Sequence, residues 1–283
     1  MFSKIIIGFF CFINAFPVYA VSTHAENSSE LDVSKILFEH VLNSNEMVLI
    51  PGLPAITLPF GITVHLLMIW IAVLIIALLF LSSFRKRTTK VQGMAVALEA
   101  LVLFVRDDIV YPVMGEKKGE KWLPFFLTLF VFLLVLNCLG LIPAFKSATG
   151  NINVTGALAL MILVLMFGAG IKNLGVKHFF SNMYPSDTPR AIALFVALLE
   201  IAGTLIKSIV LSLRLFANMF AGHLAILAFL VLIFVIGPLT SFISVPFAVF
   251  TYSLEVLVAL IQAFVFTLLS CIFITLASTS HSE

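Results

Sequence analysis

The sequence predicts an all-α, polytopic membrane protein with about five or six membrane-embedded helices, the last two forming a long tilted hairpin. Three observations predict it. Of its 283 residues, 61% are hydrophobic and only 11% charged, far from the composition of soluble domains. The apolar residues fall into runs long enough to cross a hydrocarbon core of about 30 Å as helices. The lysines and arginines collect in the connections between those runs, as an oriented membrane protein requires.

The formal charge of +2 is too small, and the basic residues too dispersed, for nucleic acid to be a partner. Cys11, Cys138 and Cys271 all sit in apolar stretches. They show no CxxC or Cys/His spacing, so they read as small buried hydrophobes, with no metal and no cofactor implied.

Lys4, the apolar run 5–16, Pro17 and the small-x-small site Val18-Tyr19-Ala20 follow the n, h and c regions of a secretory signal peptide covering residues 1–20. The alternative is an uncleaved anchor; in both cases the following segment starts outside. Residues 21–60 form a modest exported segment, with a short amphipathic helix over 31–42 and the turn-forming Pro51-Gly52-Leu53-Pro54. Residues 61–283 are the membrane domain.

Residues 62–84 form the first span, and Arg85, Lys86, Arg87 and Lys90 place its end on the cytoplasmic side. Residues 91–111 have helical apolar spacing broken by Glu99, Arg106, Asp107 and Asp108, which predicts a cytoplasmic amphipathic helix or a re-entrant hairpin. Residues 123–141 cross outward, 144–153 turn, and 154–171 return to a connection holding Lys172, Lys177 and Arg190.

The hairpin occupies 190–278. Residues 191–236 contain no proline, and one helix of that length would be about 69 Å long, more than twice the hydrocarbon thickness. The run is therefore either broken near Gly222 or strongly tilted, and Gly237-Pro238 turns it into a second apolar run over 242–277.

Each charge inside a span costs on the order of 2.5–3.5 kcal/mol, so such residues are functional candidates by default. The hairpin holds Glu200, Lys207, Arg214, His223 and Glu255, with Asn218 and Gln262 among them. On a helix, Glu200, Lys207, Arg214 and Asn218 fall within about 40° of one another, and Glu255 shares a face with Gln262. His223 lies about half a turn from Arg214, so it faces its hairpin partner while Arg214 faces something else.

Glu200 with Lys207 also reads as a structural ion pair, Asn218 and Gln262 as interhelical glue, and His65 as a structural histidine. Arg214 has no acid three or four positions away, and arginine does not deprotonate. It is a fixed charge whose natural partner is a carboxylate on another chain. Ala217, Ala221 and Ala225 beside it make a small-residue face for close helix contact.

The run Leu213-Arg214-Leu215-Phe216-Ala217-Asn218-Met219-Phe220-Ala221-Gly222-His223 closely resembles the signature of the ATP synthase a subunit family. So do Asn137-Cys138-Leu139-Gly140-Leu141-Ile142-Pro143, Asn151-Ile152-Asn153-Val154-Thr155 and Leu260-Ile261-Gln262-Ala263-Phe264-Val265-Phe266, and the resemblance spans roughly residues 35–280. It implies that Arg214 is the essential arginine, Asn218 the asparagine beside it, Gln262 the half-channel glutamine and Glu200 the glutamate near the exit path. His223 and Glu255 stand where some members carry the same acid and imidazole exchanged.

Ser212 and Ala217 stand where many members have glycine, and Lys207-Ser208 where many have lysine-proline. The resemblance further implies a non-catalytic, ion-translocating stator subunit of an F-type ATP synthase in a bacterial inner membrane, most simply carrying protons. Its partners would be the c-subunit ring, contacted through Ala217, Ala221 and Ala225, the b subunits of the peripheral stalk and the rest of the complex. No HExxH or GxSxG motif supports an intramembrane enzyme, and no inverted repeat supports a stand-alone transporter.

Overall fold

The computed structural model describes residues 46–47, 56–57, 64–84, 93–142, 147–176 and 190–279. The expected signal peptide, the amphipathic segment 31–42, the prolines at 51 and 54, the basic cluster 85–90, Lys177 and Cys11 lie outside the described residues.

A two-residue antiparallel ladder pairs Glu46–Met47 (β1) with Ile56–Thr57 (β2). The rest of the described chain is helical: α1 (Val64–Phe84), α2 (Met94–Phe104), a π-turn (Val105–Val110), α3 (Tyr111–Met114), α4 (Glu116–Gly140), α5 (Ile152–Leu174), α6 (Arg190–Ile236) and α7 (Ser241–Ala277). Among the described residues, five stretches are long and apolar enough to cross a membrane: Val64–Leu81, Glu116–Gly140, Ile152–Leu174, Phe195–Ile233 and Ser241–Ala277. This is an all-α polytopic membrane protein.

The expectation of a broken or a tilted run resolves in favour of continuity. α6 is one helix of 47 residues passing through Gly203 and Gly222, about 70 Å at 1.5 Å per residue, so it cannot stand upright in a bilayer. It stops at Gly237, whose φ of 123° suits a residue without a Cβ and whose N–H bonds back to Ile233 at 3.1 Å. A short 3-10 turn, Pro238–Thr240, then starts α7.

The helical segment after α1, 94–114, carries Glu99, Arg106, Asp107 and Asp108 and is not among the stretches apolar enough to cross. Leu98, Val105, Ile109 and Val110 are buried while Glu99, Asp107 and Asp108 are exposed, which is an amphipathic arrangement. Arg106 forks onto neighbouring Asp107 at 2.8 and 3.0 Å, holding that carboxyl below the usual carboxylate range and the guanidinium above its own.

The packing divides the chain into two units. The described residues of the first lie within Met1–Val73, Val135–Asn151 and Phe216–Leu260. Its interior joins Leu141, Met219 and Ala259, with Tyr252 and Val256 against them, and Phe229 meets Phe247 across the hairpin turn. The described residues of the second lie within Leu74–Leu134, Ile152–Leu215 and Ile261–Glu283. There Phe104 packs its ring on Phe130 of α4 and Phe264 of α7, and Cys271 lies 4.0 Å from the carbonyl of Ile109 in the π-turn.

Cys271 is buried as expected, but Cys138 is exposed on this chain, which corrects its reading as a buried hydrophobe. Its neighbours Asn137 and Leu139 take the inward positions of α4. Cys138 is turned away from both, about 100° from each.

Candidate functional site

The first unit carries the best-defined polar constellation. His223 on α6 and Glu255 on α7 meet at 2.6 Å between Nδ1 and Oε1. Glu255 is buried and so accessible to few competing groups. The other ring nitrogen, Nε2, lies 3.0 Å from the carbonyl oxygen of Gly140 in the last turn of α4. Three helices thus converge on one imidazole.

Why they converge can be read from the local structure. The last carbonyls of a helix have no partner within it. At the end of α4, His223 takes the carbonyl of Gly140 and the hydroxyl of Tyr252 donates to that of Leu141 at 3.2 Å. Asn137, fully buried one turn earlier, donates its amide to the carbonyl of Ala259 at 3.0 Å. The α4 terminus is therefore stitched to both arms of the hairpin by side chains that have no apolar equivalent.

Gly222 makes the His223–Glu255 contact sterically feasible. A Cβ built there would lie 2.7 Å from both Cδ and Oε1 of Glu255, closer than real Cβ atoms approach. The carboxyl therefore rests on bare α6 backbone, which is why it reaches the ring one residue further on. Asn218, also in this unit, is half-buried.

The second unit carries the rest of the polar stripe. Arg214 is half-buried, and no hydrogen bond or ion pair joins its side chain to any described residue. Glu200 and Lys207 are exposed. They form no ion pair with each other among the described residues; the Lys207 ammonium sits over the ring of Phe273, 5.9 Å from its centre. Gln262 is buried on α7, seven residues after the buried Glu255 and thus on the same face of that helix.

The buried ridge of α6 in this unit runs through Thr204, Ser208, Leu211, Ser212 and Leu215, about 80° around the helix from the arginine stripe. Ser212 donates to the hydroxyl of Thr155 on α5 at 3.2 Å, and Gly156 leaves space beside it. Within the chain, then, close helix packing uses this Thr/Ser ridge. Ala217 and Ala221 remain exposed and Ala225 half-buried.

Sequence reasoning missed Gly140, Gly222, Tyr252 and the Thr204-Ser208-Ser212 ridge. The ridge had a signal, since its small residues recur every four positions. The roles of Gly140 and Gly222 depend on which helix lies opposite, so periodicity within one helix could not reveal them.

The model of the ATP synthase A chain family matches residues 66–275 of this sequence. ATP synthase subunit a 2 of Prosthecochloris aestuarii is 39% identical over 274 residues, covering 92% of this chain and 83% of that protein. ATP synthase subunit a of Chlorobium phaeobacteroides is 39% identical over 276 residues, with 92% and 81% covered. That of Myxococcus xanthus is 42% identical over 229 residues, with 80% and 75% covered. With the family model matched along five apolar helices and relatives aligned over most of both lengths, the chain belongs to the ATP synthase A chain family.

Proposed function

We propose that the chain is the stator a subunit of a bacterial F-type ATP synthase and offers two half-channels to a rotating c-subunit ring. Protons enter from the outer face past His223, Glu255 and Gln262 and neutralise a carboxylate on the ring. The neutral carboxyl turns into lipid at little cost. After nearly a full rotation it meets Arg214, whose fixed charge favours the ionised carboxylate and releases the proton into a second half-channel lined by Glu200. Asn218 flanks the arginine, and the same charge bars a direct leak between the half-channels.

Each proton crossing 100 mV yields about 2.3 kcal/mol, so several must be collected per ATP, which a ring accomplishes. The chain itself carries out no bond chemistry. The signal peptide and exported segment place the N-terminus outside the cell's inner membrane, and b subunits of the peripheral stalk hold the subunit against the ring.

One observation carries this reading: Arg214 has no partner among the described residues, on a helix whose neighbouring Ala217 and Ala221 are exposed. An intramembrane arginine in that state calls for a carboxylate from another chain. Cysteines at Ala217 and Ala221 should cross-link to the outer helix of the c subunit in the assembled complex, whereas cysteines at Leu211 and Leu215 should not. Equal cross-linking from both faces would sink the assignment.

A further inference from the structure

The two contacts of the His223 ring restrict what it can do with a proton. A carbonyl oxygen only accepts, so the 3.0 Å contact to Gly140 requires a proton on Nε2. The 2.6 Å contact from Nδ1 to Glu255 Oε1 holds a second proton, which rests on Nδ1 when Glu255 is a carboxylate free to accept another. For a proton to cross the ring it would have to arrive at one nitrogen while another left from the second. The proton on Nε2 faces a carbonyl that cannot take it.

Nor is the Gly140 carbonyl easily moved aside. It belongs to the helix end that Tyr252 and Asn137 also fasten, and a Cβ at Gly140 would stand 2.7 Å from the hydroxyl oxygen of Ser147. The ring is therefore held between a fixed acceptor and a buried acid. Passing a proton through it would require breaking the Gly140 bond at every transfer, leaving a buried carbonyl unpaired each time.

We propose that His223 is not a stepping stone for protons but a positioning residue: it holds Oε1 of Glu255, and the transferred proton arrives and leaves on that carboxyl's other oxygen, Oε2. In this scheme the carboxylate gains a proton at Oε2 from the entry path and gives the same proton to the partner carboxylate on the ring. The protons on Nε2 and on the Nδ1–Oε1 line stay in place, so no bond of the imidazole changes. The inference rests on the half-channel assignment above and gives the two relay residues different tasks.

Glutamine at 223 separates the two ideas, because its amide nitrogen carries two protons, one to donate to the Gly140 carbonyl and one to Oε1 of the Glu255 carboxylate, but cannot titrate. ATP-driven proton pumping should be measured in vesicles carrying the intact complex for His223→Leu, His223→Gln and Glu255→Gln. His223→Leu is expected to lose about 10²-fold, His223→Gln to return to within about tenfold of the native rate, and Glu255→Gln to stay down by about 10² or more. An assembled His223→Gln complex as inactive as His223→Leu overturns the inference.

Normal pumping by Glu255→Gln would instead overturn the half-channel assignment beneath it. Where the variants fail to assemble, ¹⁵N spectra of the native complex decide, with histidine ¹⁵N-labelled and glycine carbonyls ¹³C-labelled. The imidazole in contact with a glycine carbonyl should keep its Nε2 proton throughout the working pH range. A deprotonated Nε2 there overturns the inference.

Discussion

Arg214 and His223 stand nine residues apart on α6, half a turn around the helix, and their surroundings differ in kind. His223 is fully engaged, with Glu255 on one ring nitrogen and the Gly140 carbonyl on the other. Arg214 offers five donors, and none meets an acceptor among the described residues. A polar group inside a membrane protein is stable either because the chain itself satisfies it or because something else does. The imidazole is satisfied from within and has its geometry fixed; the guanidinium has no hydrogen bond or ion pair among the described residues.

The comparison breaks most visibly at the open end. Arg214→Ala is expected to abolish ion-driven ATP synthesis while the complex still assembles, since the side chain contributes no hydrogen bond or ion pair to the described fold. Arg214→Lys should rescue it poorly, because a point ammonium lacks the planar fork and can lose its proton when desolvated. Synthesis at a normal rate by the alanine complex, measured in energised vesicles, would remove the central claim.

The next effect is at the closed end. Gly222→Ala puts a methyl group where the Glu255 carboxyl lies, at 2.7 Å, and a displacement of roughly 1 Å in a working group can cost about 10²-fold in rate. Proton pumping should fall by that order while cross-linking of a cysteine at Ala217 to the c subunit is unchanged. Unimpaired pumping would show that the carboxyl position is not critical.

A smaller and partly compensating effect is expected from exchanging the pair. His223→Glu alone sets two like-charged carboxyls together, and Glu255→His alone leaves two imidazoles without an anion. The double exchange should pump better than either single variant, although recovery is incomplete because the Gly140 carbonyl has lost its imidazole donor. Strictly additive losses across the four proteins would mean that the two residues act independently.

The smallest effect concerns the stitching itself. Tyr252→Phe removes the donor to Leu141 and should lower the stability of the subunit by about 1 kcal/mol. Ser212→Ala, which removes the α5–α6 bond to Thr155, should cost only about 0.6 kcal/mol, near the average for side-chain hydrogen bonds between membrane helices. Thermal unfolding of the purified complex measures both. A reversed order would mean that the α4 terminus is not a fastening point.

The sequence by itself determined the class, the spans and the polar residues, because a bilayer turns composition into architecture: an apolar run of sufficient length has few folds open to it. It also determined that Arg214 and His223 point in opposite directions, since a helix converts spacing into angle. The continuity of α6 through Gly222 was left open, because glycine weakens a helix by only about 1 kcal/mol and tertiary packing overrides that.

What the tertiary structure decided was the partnership of each group. Neither the Gly140 carbonyl under His223 nor the Glu255 carboxyl over Gly222 follows from any spacing within one helix. Both depend on where α4 ends relative to the hairpin, and on the need of its last carbonyls for donors that only another helix can bring. A sequence fixes the angle at which a side chain leaves its own helix, but what stands at the far end of that side chain is a property of the packed chain.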